Sequence, residues 1–217
     1  MIYAGIGQKA SQTEDYIRGL LAYQCMPTLL KAKPSVLVTA NKKLIWKPDM
    51  FFVLLEEYLR CFECSCLPLQ ETGSRIYLLL YHEPLLQQSL KVKQRRDFLA
   101  VCGYKECGDS VEGALTRLGE LYHGYWRKGV FPHEIGIFLG YPLADVTGFI
   151  TNRGRDYLMC GMWKVYQRAE TAAAAFQSYR SMKEQAVGLL EGRNDLTEIL
   201  NNGYTEERIF LKKLLEY

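Results

Sequence analysis

The stretch CSCLPLQETGSRIYLLLY, residues Cys64–Tyr81, decides the fold class. Its second half, Arg75–Tyr81, is a run of β-branched, aromatic and aliphatic side chains that is typical of a buried strand. The glycine-containing segment Glu71–Ser74 before it is typical of a turn. The two halves therefore predict a β-hairpin, and a hairpin requires antiparallel pairing.

Outward from this hairpin, the sequence predicts one more region of strand and many helices. Ser35–Thr39 is β-branched and apolar and predicts a short buried strand, with Leu44–Trp46 pairing back on it. Residues Asp156–Tyr166 are expected to be extended. Helices are predicted over about residues 11–25, 49–60, 84–90, 96–101, 109–126, 169–190, 195–200 and 205–215.

This order of elements predicts an α+β fold, with a small, mostly antiparallel sheet packed with several helices. The chain has 217 residues, of which 48% are hydrophobic, and that is enough for a sizeable core. We expect one α+β domain over residues 1–168 and a helical C-terminal extension over 169–217, packed on the same domain.

Composition and charge narrow the class of protein. The formal net charge of +3 gives no argument for nucleic-acid binding. No apolar run reaches the roughly 20 residues that span a bilayer, and the N-terminus lacks the pattern of a signal peptide. The seven cysteines are an odd number without an export signal. We therefore expect reduced thiols in a cytoplasmic protein that has no contact with a membrane.

Three further segments carry a family resemblance: QCMPTL at Gln24–Leu29 followed by Lys33, FPHEIGIFLGYPLADVTGFI at Phe131–Ile150, and CGMWKVY at Cys160–Tyr166. With them the chain resembles a bacterial family known as a domain of unknown function, DUF3793, over about residues 16–182. The chain departs from the family pattern at His82, where arginine is usual, and at Met182, where cysteine is usual. The resemblance implies a cytoplasmic protein with a shared site, and it supplies neither an activity nor a cofactor.

The segment Phe131–Ile150 allows three interpretations. In the first it is a packed turn, in which Gly136 and Gly140 share a helix face and allow a neighbouring backbone to approach. In the second it is a helix-turn-helix-like pair. A DNA-reading second helix would present Ala144, Asp145, Thr147 and Gly148. That set lacks the Arg, Lys, Asn and Gln that read bases and phosphates, so we expect a protein partner before DNA.

In the third interpretation the segment contributes to a site. His133 is expected at the start of a helix, where the positive helix end disfavours protonation and keeps the imidazole available as a base or ligand. Cys25 and Cys160 are the candidate partners, as a nucleophilic or redox thiol and as a resolving thiol or second ligand. Lys33, Lys164 and Tyr166 are candidates for binding an anionic group, with Trp163 beside them. The competing interpretation of each cysteine is a buried core residue.

A metal site is a weaker hypothesis. The tract Cys61–Cys66 has thiols at Cys61, Cys64 and Cys66, and Cys102 and Cys107 are candidates to join them in space. Cys25, His133 and Cys160 would also suit a soft metal with a fourth ligand missing.

The sequence thus predicts an uncharacterised cytoplasmic protein with a thiol–imidazole site formed by Cys25, His133 and Cys160, with Lys33 and Lys164 nearby. Redox, transfer and metal-binding uses stay open, and so does the question of whether the protein is an enzyme. The alternative is an interaction module that uses the helix pair in 131–150 to bind a protein or, with less support, DNA.

Overall fold

The structure, a computed structural model, describes residues 2–107, 110–192 and 194–201. The α-helices of these residues are α1 (Ile2–Leu20), α2 (Met26–Leu29), α3 (Pro48–Cys61), α4 (Glu83–Lys91), α5 (Lys93–Leu99), α6 (Val111–Lys128), α7 (Ile135–Phe138), α8 (Leu143–Thr151) and α9 (Ala169–Glu191). The strands are β1 (Ser35–Asn41), β2 (Ser65–Glu71), β3 (Arg75–Tyr81), β4 (Met159–Cys160) and β5 (Lys164–Val165). Short π- and 3₁₀-helical segments cover Leu21–Cys25, Lys42–Leu44, Ala100–Tyr104, Lys105–Cys107 and Leu196–Asn201.

The predicted hairpin forms the centre of the fold. β2 and β3 pair antiparallel, and β1 pairs antiparallel with the other edge of β3, which gives the order β1-β3-β2. The register of β2 shifts between Pro68 and Gln70, where the missing N–H of the proline cannot join the ladder. Helices surround this small sheet, so the α+β prediction is confirmed.

β3 is buried on both faces, because helices cover both faces of the sheet. Ile76, Leu78 and Leu80 lie in one core with α1, α2, α3 and α9. Leu79 points the other way, into a second core with α4 to α8. This burial explains the uninterrupted apolar run of the central strand, which would alternate with polar residues if one face met water.

Two details of the sequence prediction need correction or limitation. Leu44–Trp46 does not pair as a strand, because the Asn41 side chain accepts a hydrogen bond from the Lys43 amide at 3.0 Å and starts a 3₁₀ turn. The partner of β1 is β3 instead. The expected helix at 205–215 lies outside the described residues.

The long helix α9 packs on the first core through Ala172, Ala175, Phe176 and Tyr179. The division into a domain at 1–168 and an extension at 169–217 stays a prediction, since the described part of the chain ends at residue 201. Within the described residues, every helix is too short or too polar to cross a membrane.

Candidate functional site

Residues 131–150 form a tight helix pair, with α7 joined to α8 through a turn at Gly140. Gly140 has a φ of 77°, and a Cβ there would lie 2.5 Å from Cδ of Pro34. A Cβ at Gly136 would lie 2.7 Å from Cγ2 of Val146 on α8. Both glycines are therefore required for close packing. The first interpretation is wrong in its detail, since Gly140 lies beyond the end of α7 and the nearest atoms at both glycines belong to side chains and not to a neighbouring backbone.

The strands β4 and β5, of two residues each, form a hairpin beside this helix pair, with Met159 opposite Val165 and Cys160 opposite Lys164. The extended segment predicted at 156–166 is thus confirmed only at Met159–Cys160 and Lys164–Val165, because the chain turns back on itself between them. Gly161 lies in the turn against the ring of Phe176 on α9, where an added Cβ would overlap the ring.

Asp145 ties the hairpin region to α8. Its side chain is 3% exposed and accepts hydrogen bonds from Trp163 Nε1 at 2.7 Å, from the Tyr166 amide at 2.7 Å and from the Gln167 amide at 3.2 Å. Each donor hydrogen-bonds to a buried carboxylate, which is a stronger interaction than a neutral pair. This network holds the hairpin and the segment after it against the first turn of α8.

Trp163 completes the wall between the hairpin and the body of the protein. Its indole stacks on Tyr141, with ring centroids 4.8 Å apart and planes at 27°, and meets the edge of Phe176 at 4.5 Å. It is 8% exposed. Its position is therefore fixed by two aromatic contacts and by the hydrogen bond at the indole nitrogen.

A pocket of about 360 Å³ lies between α7, α8 and the β4–β5 hairpin. That volume is within the range of small-molecule sites. Most of its wall is apolar, and the polar side chains in it are His133, Asp145, Cys160 and Lys164, with Tyr141 and Trp163 among the aromatic ones. The lining residues are Leu37, Phe131, His133, Ile135, Gly136, Leu139, Tyr141, Asp145, Val146, Phe149, Cys160, Gly161, Met162, Trp163 and Lys164.

His133 lies in the turn before α7 and not inside the helix, since α7 begins at Ile135. Its imidazole lies between two aromatic rings, 5.3 Å from the centroid of Phe131 and 5.0 Å from that of Phe149. Desolvation lowers the pKa of His133, which is the expected direction, although the residue is still exposed to solvent. Glu134 points elsewhere and accepts a hydrogen bond from the Tyr104 hydroxyl at 3.2 Å.

The thiol and the ammonium of the pocket come from the hairpin. Cys160 is exposed to solvent at the pocket. Lys164 donates from Nζ to the Gly154 carbonyl at 2.6 Å, and the same nitrogen lies 4.8 Å from the ring centroid of Tyr157 and 5.8 Å from that of Phe149. The ammonium is thus held beside the pocket by one carbonyl and two aromatic faces.

The structure brings His133, Cys160, Trp163 and Lys164 together in this pocket and leaves the other predicted residues outside its lining. Cys25 lies in the first core with 0% exposure, and its thiol faces the Leu20 carbonyl at 3.7 Å. Burial raises the pKa of the Cys25 thiol, so it stays protonated and unreactive.

Lys33 and Tyr166 also lie outside the pocket lining. Lys33 Nζ faces the ring of Tyr141 at 5.3 Å and lines a different cavity. The ring of Tyr166 packs on Gly148, where a Cβ would lie 2.5 Å from Cγ of that ring, so Tyr166 supports α8.

The cysteines of the metal hypothesis do not form a ligand set within the described residues. Cys61 is exposed at the end of α3, Cys64 is buried and Cys66 is half-buried on β2. Across 2–107, 110–192 and 194–201, no group of three or more His, Cys, Asp or Glu side chains could hold a metal ion.

Sequence reasoning missed the role of Asp145 and the aromatic wall. In the helix-turn-helix interpretation Asp145 is presented on the surface of the second helix, whereas its carboxylate is buried and accepts hydrogen bonds from inside the protein. No local signal gives this role, because Asp145 makes no capping hydrogen bond to α8 and its donors lie 18 to 22 positions later in the chain. Nothing in the sequence marks Phe131 and Phe149 as pocket residues except that they are apolar.

The sequence model of one protein family matches residues 21–200, and the family is described as a protein of unknown function, DUF3793. The chain belongs to this family. The match covers the helix pair, the hairpin and therefore the whole pocket. Searches of the curated proteins and of the solved structures gave no match.

Proposed function

We propose that this DUF3793 protein binds a small, planar and largely apolar molecule in the pocket between α7, α8 and the β4–β5 hairpin. The observation that carries the proposal is an apolar pocket whose wall also presents a thiol, an imidazole and an ammonium, from Cys160, His133 and Lys164. Few polar groups in an apolar concavity are the usual design of a small-molecule site, where the apolar wall gives affinity and the polar groups give orientation.

The aromatic wall favours a planar ligand. Phe131, Tyr141, Phe149 and Trp163 offer ring faces or edges to the pocket. Rings of a ligand gain from offset or edge contacts with such side chains in addition to the burial of apolar area. Lys164 already donates one hydrogen bond to the Gly154 carbonyl, and its ammonium is placed to donate another to an acceptor or anionic group of the ligand.

The thiol and the imidazole give this pocket chemistry beyond binding. The neutral form of His133 is favoured by burial, and a neutral imidazole accepts a proton. Cys160 is the accessible thiol of the pocket, so a ligand with an electrophilic carbon would meet a nucleophile there. The thiol–imidazole proposal therefore keeps His133 and Cys160 and no longer includes Cys25. A cytoplasmic setting is part of the proposal, because a reducing compartment keeps cysteines as free thiols such as the seven of this chain. A bacterial origin is proposed from the family resemblance alone.

The alternative, docking of a partner through the helix pair, has weaker support. Residues 135–138 are all buried, and Asp145 and Val146 of α8 are buried as well. These buried faces pack inside the protein, whereas Ala144 and Thr147 of α8 are half-buried and Ile150 is exposed, so a partner would meet only part of α8.

The test compares two reagents with the same reactive group, N-phenylmaleimide and N-methylmaleimide. Site-resolved mass spectrometry gives the alkylation rate at Cys160 and at Cys61, an exposed thiol outside the pocket. If the pocket takes up the phenyl ring, the phenyl-to-methyl rate ratio at Cys160 exceeds that at Cys61 by about tenfold, since about 1.4 kcal/mol of apolar contact is enough.

Matched variants locate the effect. Phe149→Ala removes an aromatic wall of the pocket and should lower the ratio at Cys160, whereas Phe52→Ala, on α3, should leave it unchanged. Equal ratios at Cys160 and Cys61 in the unmodified protein would refute the proposal. Circular dichroism of each variant verifies that it is folded.

A further inference from the structure

The surface around the apolar pocket consists of three connecting segments and the last turn of α8. Val130 lies in the segment between α6 and α7, and Ile150 lies in the last turn of α8. Tyr157 and Leu158 lie in the segment between α8 and β4, and Met162 lies in the turn between β4 and β5. All five apolar side chains are exposed. We call this surface, with the cations described below, the pocket rim.

The pocket rim collects exposed apolar side chains that elsewhere in the molecule are scattered. Val130 is 74% exposed and Leu158 is 66% exposed, although both are aliphatic. Among the other described residues, exposed apolar side chains such as Val53 on α3 and Val101 after α5 lie on separate elements. Single exposed apolar residues are normal on a soluble protein, whereas a group of them indicates a binding surface.

Contacts along the pocket wall join Val130 to Ile150. The rings of Phe131, His133 and Phe149 follow one another along this wall, with centroids 5.3 and 5.0 Å apart. Val130 precedes the first of these rings in the chain, and Ile150 follows the last. The two exposed side chains therefore flank the same side of the pocket.

The β4–β5 hairpin carries the rest of the apolar group. The Leu158 amide donates to the Val165 carbonyl at 2.8 Å, which holds this segment against the hairpin. The ring centroid of Tyr157 lies 4.8 Å from Nζ of Lys164, a residue of the pocket lining. Met162 lines the pocket itself. The exposed apolar side chains thus surround one pocket from two sides.

Four cationic side chains belong to the same segments. Arg127 and Lys128 end α6, directly before the first segment of the rim, and Arg153 and Arg155 lie in the segment after α8. All four are exposed. In the part of the chain that the structure describes, these side chains make no ion pair and no hydrogen bond. Their charges are therefore available to a partner.

Carboxylates of this region do not balance the four cations. Residues 125–168 contain the acidic residues Glu134, Asp145 and Asp156. Glu134 is half-buried and bonded to the Tyr104 hydroxyl, and Asp145 is buried in its hydrogen-bond network. Asp156 is exposed. The exposed charge of this stretch is thus mainly positive, and an anionic surface is complementary to it.

A lipid surface fits both the apolar and the charged groups. Aliphatic side chains such as Val130 and Leu158 leave water when they enter the boundary between headgroups and acyl chains, and a tyrosine suits the headgroup level. Arginine and lysine are attracted to anionic headgroups. A single-stranded nucleic acid would instead stack on exposed aromatic faces, whereas the two most exposed apolar side chains of the rim are aliphatic.

From the grouped apolar side chains and the four cations without ion pairs, we propose that the pocket rim binds the surface of an anionic lipid bilayer. The sequence-based expectation of no membrane contact rests on the lack of a spanning segment, and binding at a surface needs no such segment. The proposal is independent of the ligand of the pocket, since it uses only groups exposed around it.

The test is co-sedimentation of the folded protein with vesicles of phosphatidylcholine and phosphatidylglycerol in equal parts. Vesicles of phosphatidylcholine alone are the control for charge. We expect the partition coefficient to be at least about tenfold higher on the anionic vesicles, and this preference should shrink as salt screens the cations.

The apolar contribution is measured with Leu158→Ser. The smaller, polar side chain loses apolar area that would leave water in the bilayer, so the partition coefficient on anionic vesicles should fall about fivefold. Val101→Ser removes an even more exposed aliphatic side chain outside the rim and should leave it unchanged. Both positions are on the surface, and circular dichroism verifies that both variants are folded.

The contribution of charge is measured with Arg155→Gln. Loss of one cation near an anionic surface should lower the partition coefficient about fivefold. Arg60→Gln removes an equal charge from the exposed end of α3 and should have no such effect.

Polyuridylic acid tests the other polyanion that four cations could attract. If the protein binds it, and if vesicle binding depends on Arg155 but not on Leu158, the rim is a nucleic-acid site and the lipid proposal is wrong. The proposal also fails if the protein does not bind anionic vesicles, or if it binds neutral vesicles equally well.

Discussion

Cys25 and Cys160 place the same functional group in two different environments. Cys25 is fully buried in the first core, whereas Cys160 is exposed at the apolar pocket beside His133. Burial favours the neutral form in both regions, since it raises the pKa of the Cys25 thiol and lowers the pKa of the His133 imidazole. A neutral thiol is inert, but a neutral imidazole is a base. The same physical effect thus removes reactivity from the core and preserves it in the pocket.

The position of Cys160 in the pocket wall depends on the hydrogen bonds that the Asp145 carboxylate accepts. Replacing Asp145 with alanine would leave the Trp163 indole N–H and the amides of Tyr166 and Gln167 without their acceptor. We expect the free energy of unfolding to fall by about 2–4 kcal/mol, measured by urea denaturation. This is the largest effect predicted.

Asp49→Ala is the matched control, because Asp49 is also in the first turn of a helix, α3, but is exposed. Its loss should cost less than about 1 kcal/mol. Similar losses for Asp49→Ala and Asp145→Ala would contradict the role assigned to the buried carboxylate.

A second prediction compares the two cysteines directly. Cys25→Ala removes a packed sulfur from the core and should lower the free energy of unfolding by about 1–2 kcal/mol. Cys160→Ala removes an exposed sulfur and should change it by less than about 0.5 kcal/mol. Urea denaturation of both variants measures the difference. Alkylation of Cys25 in the native protein at the rate of Cys160 would show that the core assignment is wrong.

The sheet could be predicted because its signals are local. A turn with glycine between two strand-like halves predicts a hairpin, and the continuous apolar run of Arg75–Tyr81 indicates burial on both faces. The predicted pairing of Leu44–Trp46 with β1 is wrong. The Asn41 side chain accepts a hydrogen bond from the Lys43 amide and starts a turn there, and the actual partner of β1 is β3, which is distant in sequence.

The candidate site could be predicted only in part. His133, Cys160, Trp163 and Lys164 stand out as polar or aromatic residues in distinctive segments, and they do line one pocket. The burial of Cys25 depends on helices that pack from distant parts of the chain, so a sequence offers no measure of it.

The smallest expected effect on stability comes from the protonation of His133. Because burial lowers the folded-state pKa of His133, the unfolded chain binds more protons there just below the ordinary histidine pKa of about 6.5. Stability from this residue is complete above that pH and is lost as pH falls toward the folded-state pKa. Solvent exposure of the ring limits the loss to below about 0.5 kcal/mol.

Urea denaturation at about pH 7.5 and pH 5 measures this loss. The free energy of unfolding should fall less between these pH values for His133→Gln than for the unmodified protein. His123→Gln, which replaces an exposed histidine on α6, serves as the control. An unchanged fall in His133→Gln would mean that the imidazole is as well hydrated in the pocket as in the unfolded chain, and the pocket would then lack the apolar character that separates it from open solvent.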